Sequence, residues 1–304
     1  MPEKKEISAL LRLIDDPDTE VFDTVADKIL NYGTEIIGDL EQLWEITVDQ
    51  NVQERIEHLI HRVHFQDLEK DFFDWSNQED PELITGAMLI AKYQFPELNI
   101  DVVLKQFEKI RRNIWLELNN YLTPLEKVNV LNSILYNYYK LEGHELTERE
   151  PKHFFINQVL ESKQGNPYGI GALYLALCEQ LDIPIFCVDI PKQLVFAYVD
   201  TLHHFYNPYD EAVQQIQFFI DPIGGMVYTQ ADVDAYLKKI NAKDSETYFT
   251  PLTNKQVIFK MLEELSLCYR YNRDDQKADE IQHLMHIVVR DSSDDDVAQD
   301  EDQF

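Results

Sequence analysis

The stretch that decides the fold runs from Lys163 to Cys187, KQGNPYGIGALYLALCEQLDIPIFC. It opens on a polar turn, passes through Pro167 into an apolar helical run, stops at Pro184 and enters a β-type run. A proline suits a helix start, where its fixed φ is already helical and its missing N–H is not needed. A turn feeding a helix is also a common mount for a nucleophile, because a helix N-terminus lowers a thiol pKa. This turn, however, holds neither Cys nor Ser.

Downstream, IPIFCVDI (183–190) and QLVFAYVD (193–200) are rich in β-branched and aromatic residues and read as strands. HHFYNP (203–208) and QFFIDP (217–222) add two short candidates, and Gly224-Gly225 closes the region with a turn. ADVDAYLKKIN (231–241) is helical. Residues 254–290 form a helix pair around a polar turn at Asn272–Asp275, as in TPR-like hairpins. The tail DSSDDDVAQDEDQF (291–304) is acidic and poor in apolar residues, the composition of a disordered segment.

Upstream, apolar residues recur at three- and four-residue steps: Leu10, Leu11, Leu13 and Ile14, then Val21, Phe22, Val25 and Ile29. Pro17 marks the break between two helices, and Gly33 is expected to end the second. DLEQLWEIT (39–47) and VQERIEHLIHRVHF (52–65) continue a pattern that resembles HEAT-type repeats. Three more helices follow in 81–98, 100–118 and 124–139. Pro81 and Pro124 are expected in first turns, while Pro96 ends a helix and Gly143 follows the last.

The chain has 304 residues, with 56 acidic against 27 basic, a formal net charge of -29. Such a surface repels phosphate backbones and anionic membranes, so neither nucleic acid nor membrane is an expected partner. The N-terminus lacks the apolar stretch of a signal peptide, and no run approaches a membrane span. Cys178, Cys187 and Cys268 are odd in number and lack metal-type spacing, which points to reduced thiols and a cytoplasmic location.

The segment 155–185, FINQVLESKQGNPYGIGALYLALCEQLDIPI, resembles bacterial transglutaminase-like proteins of the SirB type. The matching positions begin with Asn157, Val159, Leu160, Gly165 and Pro167. Leu173, Tyr174, Leu177, Ile183, Pro184 and Pro191 continue them, and Asp221, Pro222, Gly224 and Gly225 complete them. AMLIAKYQFPELNID (87–101) is similar to the helix that enters this domain, and the resemblance covers about Pro81 to Val289. It implies an α+β fold. A helical, HEAT-like part occupies 1–79, and a papain-like transglutaminase core, a central helix on a small antiparallel sheet, occupies 80–240 with its helical lead-in. A TPR-like helix hairpin spans 250–290, before the tail.

The superfamily's chemistry implies a Cys-His-Asp triad. The thiol sits at the helix start, the imidazole takes its proton, and the carboxylate fixes the imidazole tautomer. Here the three positions hold Pro167, Gln193 and Asp221. Proline offers no nucleophile, and glutamine has no titrating group to act as a base. Lys192 stands where the family has Gly. The expected function is therefore non-catalytic binding of a protein or a small ligand, with no cofactor. The alternative is a hydrolase or acyltransferase with relocated catalytic residues. The relic cleft supplies the binding candidates Asn157, Asn166, Tyr168, Lys192, Gln193 and Asp221. Gln193 is able to donate to Asp221 as an inert version of the old pair.

Other clusters read as ordinary structure. His58, His61 and His64 drift around a helix, His283 and His286 behave likewise, and His203-His204 point to opposite strand faces, so no metal site is expected. The glycines of GNPYGIG lack the Lys-Ser/Thr ending of a phosphate loop. Cys178 and Cys187 sit in apolar runs and read as buried structural thiols. Tyr206, Tyr209, Phe218 and Phe219 are placed to cover the relic cleft, to build a partner surface, or to pack a loop.

Overall fold

The computed structural model describes residues 4–16, 18–199, 216–243 and 246–289. The chain divides into two compact units, Met1–Asp74 and Trp75–Phe304.

The first unit contains α1 (Lys4–Leu11), α2 (Thr19–Leu30), α3 (Ile37–Ile46) and most of α4 (Gln50–Ser76). Asp18 caps α2, its carboxylate accepting from the Glu20 amide at 2.9 Å. The periodic residues of the sequence form the core, with Ile14, Ile29, Ile36, Leu40, Ile56 and Leu59 fully buried. Arg55 closes the α1–α2 corner by donating to the carbonyls of Ile14 (3.0 Å) and Asp16 (2.7 Å). Gly33, expected to end α2, lies three residues past its end at φ +62°, where it opens a 3-10 turn.

The second unit is α+β. Its helices are α5 (Leu83–Gln94), α6 (Ile100–Glu117), α7 (Pro124–Asn132), α8 (Ile156–Ser162), α9 (Pro167–Gln180), α10 (Gln230–Lys239), α11 (Asn254–Tyr271) and α12 (Asp275–Val289). Pro124 occupies the first turn of α7 behind a Thr123/Glu126 capping box. Pro81 lies outside α5, whose N-cap is Glu82, because the helix starts only at Leu83. The chain leaves α7 through a π-helical turn, Ser133–Tyr138.

Strands β3 (Ile185–Val188), β4 (Val195–Val199), β5 (Ile216–Ile220) and β6 (Val227–Tyr228) form one antiparallel sheet in that order. β1 (Glu142–Gly143) and β2 (Gln164–Gly165) make a separate parallel pair. Val195, Ala197, Val199 and Phe219 form a buried cluster with Val233 of α10 and Phe249. β4 is buried along its whole length, which explains its unbroken apolar sequence. α9 is the central helix. Every residue from Pro167 to Cys178 is buried, and the first charged side chain is Glu179.

α11 and α12 pack as a hairpin, tied by Ser266 Oγ donating to the Ala278 carbonyl at 3.0 Å. No helix among the described residues is long and apolar enough to cross a membrane. The candidate strand at 203–208, His203, His204, Tyr206, Tyr209 and the tail 291–304 lie outside the described residues.

Candidate functional site

The entry to α9 is set by backbone chemistry. α8 ends at Lys163, which takes the left-handed conformation (φ 64°), and the chain pairs with β1 through Gln164 and Gly165. Asn166 is the N-cap, 3 % exposed, with an oxygen accepting from the amides of Tyr168 (3.0 Å) and Gly169 (2.9 Å). Its own N–H donates to the His153 carbonyl at 3.1 Å. Pro167 is buried at the first helical position. Gly169 is dictated by close approach, since a Cβ there would lie 2.2 Å from the His153 carbonyl oxygen. The amides that would face a thiolate or an oxyanion therefore already serve a buried side chain.

The strand side of the site is closed by packing. A Cβ on Gly171 would meet Leu194 at 2.9 Å and Phe196 at 3.1 Å, so these side chains lie directly on the helix backbone. Phe196 also packs on Tyr174, ring centroids 5.6 Å apart. Gln193 was expected on the strand. It sits instead in the turn before β4, exposed, with its backbone N–H donating to the Ile190 carbonyl at 3.3 Å. Lys192 precedes it at φ 64°, also exposed. The strand begins late because the two-residue step from Pro191 is spent on that left-handed turn.

Asp221 follows β5 and is half-buried. Its carboxylate accepts from the Ile223 amide at 3.0 Å, and its carbonyl accepts from the Gly225 amide at 2.8 Å. Among the described residues no hydrogen bond joins it to Gln193; it is the organiser of its own turn. Helix residues hold that turn in place. Asn132 Nδ2 donates to the Gly225 carbonyl (2.7 Å), Tyr136 OH to the Pro222 carbonyl (2.6 Å), and Tyr174 OH to Asn132 Oδ1 (3.2 Å). Burial, then the nearby Asp221 charge, push the Tyr136 hydroxyl far above its usual range.

The remaining candidates are dispersed. Tyr168 is buried beside Phe154, ring centroids 6.1 Å apart, and burial raises its hydroxyl pKa. Asn157 is half-buried on α8, with a buried Oδ1 that has no hydrogen-bond partner. Phe219 packs in the core against Phe249, and Phe218 against Tyr198.

All three thiols are buried. Burial pushes Cys187 up to about 12, against a partial pull-down by Lys260, and Cys268 up to about 11. Cys178 is fully buried and also raised. Both Cys178 and Cys187 line a cavity of about 770 Å³ around the C-terminal end of α9. There Glu179 accepts from the Leu83 amide (3.2 Å) and from Asn254 Nδ2 (2.9 Å). Desolvation raises its carboxyl pKa, and Asp80 and Glu82 add to the rise.

One cluster has no counterpart in the sequence-based candidates. His144, Glu148 and His153 converge on the segment between β1 and α8. The four-residue spacing of His144 and Glu148 is a signal in the sequence, but His153 comes alongside only through the 3-10 turns between them.

The family model of the transglutaminase-like superfamily matches residues 101–263. A UPF0162 protein of Pasteurella multocida is 25 % identical over 166 residues, covering 52 % of this chain and 63 % of that protein. Protein SirB1 of Salmonella typhimurium is 21 % identical over 186 residues, covering 60 % and 65 %. The UPF0162 protein YchA of Escherichia coli K12 is 24 % identical over 152 residues, covering 49 % and 52 %. The chain thus spans less than two thirds of the length of each of these relatives. No solved structure matches it. With the family match extending over more than half of its length, from α6 into α11, the chain belongs to the transglutaminase-like superfamily.

Proposed function

We propose that this chain is a non-catalytic member of its superfamily, acting in the cytoplasm by binding a protein or a small ligand. One observation carries the reading. The helix terminus that would activate a thiol is capped by the buried Asn166 and followed by Pro167. Gln193 is turned to solvent and Asp221 is engaged in its own turn. None of the three thiols sits where a low pKa would be expected, since each is raised by burial.

The binding surfaces in this reading are helical: a HEAT-like first unit and the TPR-like hairpin α11–α12. A further surface lies between α6 and the π-helical turn. A hollow of about 470 Å³ there is lined by Asn113, Leu116, Val130, Ile134 and Tyr138. Exposed Trp115, Leu116 and Tyr138 offer apolar contact area to a protein partner.

The test is a panel of peptide, amide and ester substrates combined with thiol labelling of the folded chain. The expected result is no turnover and three thiols that react only on denaturation. Turnover that a folded Asp221→Ala or Cys187→Ser variant loses overturns the reading. The second reading, a hydrolase or acyltransferase with relocated residues, is favoured by the cavity at the far end of α9, where Cys178, Cys187 and Glu179 meet. It requires at least one fast-labelling native thiol.

A further inference from the structure

The segment between β1 and α8 carries an unassigned group of donors. His144 follows β1, Glu148 ends the 3-10 turn Leu146–Glu148, and His153 lies in the turn Pro151–Phe154. The two imidazole rings stack with centroids 4.3 Å apart and planes 21° from parallel. One donor atom of each of the three side chains lies within 4.8 Å of the other two. His153 is 4 % exposed, and the Nε2 atoms of both histidines are buried without a hydrogen-bond partner.

The chemistry of these groups is specific. His144 Nδ1 lies 2.8 Å from a Glu148 carboxylate oxygen. An ionised carboxylate only accepts, so Nδ1–H donates to it, and in the neutral tautomer that this hydrogen bond selects, Nε2 is left as a bare lone pair. A buried polar atom left unpaired is destabilising. Here two stacked rings, centroids 4.3 Å apart, each carry such a nitrogen, and both are ligand-competent. Two imidazoles and a carboxylate form a donor set suited to zinc-like ions. Magnesium and calcium prefer oxygen donors.

We propose that His144, Glu148 and His153 form a binding site for a divalent transition-metal cation of the zinc class. Donors about 2.0–2.2 Å from a tetrahedral ion stand about 3.4 Å apart, so the group contracts on binding. Parallel stacked rings cannot both aim a lone pair at one ion. His153 is the fixed ligand. His144 (side chain 22 % exposed) and Glu148 (46 %) are the ones that turn. The site lies beside the entry to α9. The His144 amide donates to the Gly165 carbonyl at 2.8 Å, and the Asn166 amide donates to the His153 carbonyl at 3.1 Å. A bound cation therefore cross-links both flanks of the Gly165–Asn166 turn and stabilises it, whatever the chain binds elsewhere.

The test uses the full chain with Co2+ as spectroscopic probe and Zn2+ as competitor. Co2+ is expected to give visible d–d absorption that saturates at one equivalent and is displaced by Zn2+, and Zn2+ is expected to raise Tm. Glu148→Gln and His144→Ala, both on the more exposed side, should weaken binding about 10–100-fold with unchanged circular dichroism. Should His144→Ala fail to fold, Glu148→Gln carries the comparison. Absence of a saturable band, equal affinity in Glu148→Gln, or an equal Tm rise with Mg2+ overturns the proposal; the last would assign the ions to the acidic surface.

Discussion

Asn166 does two things at once. Its side chain satisfies two amides at the start of α9, and its backbone N–H ties that start to His153. Asn166→Ala should destabilise the fold by about 2 kcal/mol, the upper part of the range for a helix cap because the residue is buried. Asn166→Asp, which keeps an acceptor, should recover most of the loss; denaturant titration of both variants checks this. At this scale the sequence was only partly informative. Pro167 at a helix start could be read from its fixed φ. The cap at Asn166 and its burial were not read, because they depend on His153 passing within hydrogen-bond distance of it. For the same reason His144 and His153 were invisible as a pair, since nothing local to either reports a stacking partner nine residues away across two irregular turns.

Elements with a strong period were legible. The helices announced themselves through three- and four-residue apolar steps and through first-turn prolines such as Pro124, and β3 to β5 through β-branched and aromatic runs. β1 and β2 were not legible, because two residues carry no period, nor was the π-helical turn that follows α7, whose side chains read as plain helix. The far end of α9 yields a prediction of its own. Glu179 joins α9 to the starts of α5 and α11, and its carboxyl pKa is raised, mainly by desolvation. A raised carboxyl keeps its proton in the folded state at pH values where the unfolded chain has lost it. Stability therefore falls as pH rises from the ordinary carboxylate range through the raised folded value. Glu179→Gln keeps an acceptor for the Leu83 amide and removes this contribution. Its stability should decline less than the wild type's between about pH 4 and pH 7, the range spanning ordinary carboxylate ionisation, by urea titration at both values.

Over the whole molecule, the two units differ in how they are built. The first has a core drawn from helices close in sequence, Leu10 to Val63. The second draws its centre from distant stretches, with α9 inside and the sheet laid on it. The turn Asp221–Gly225 shows what this implies for the order of events as the chain folds. Its anchors reach across 93 residues from Asn132 to Gly225 and 86 from Tyr136 to Pro222. Closing loops of that length costs entropy before the contacts repay it, so such contacts form late. Tyr136→Phe leaves the Pro222 carbonyl without its donor and should lower stability by about 1–3 kcal/mol. In stopped-flow experiments nearly all of that loss should appear as faster unfolding, with the refolding rate almost unchanged. A slowed refolding limb would instead put this turn in the nucleus. On the late-forming view, the turn that Asp221 organises is among the last parts of the molecule to arrive and the first to leave.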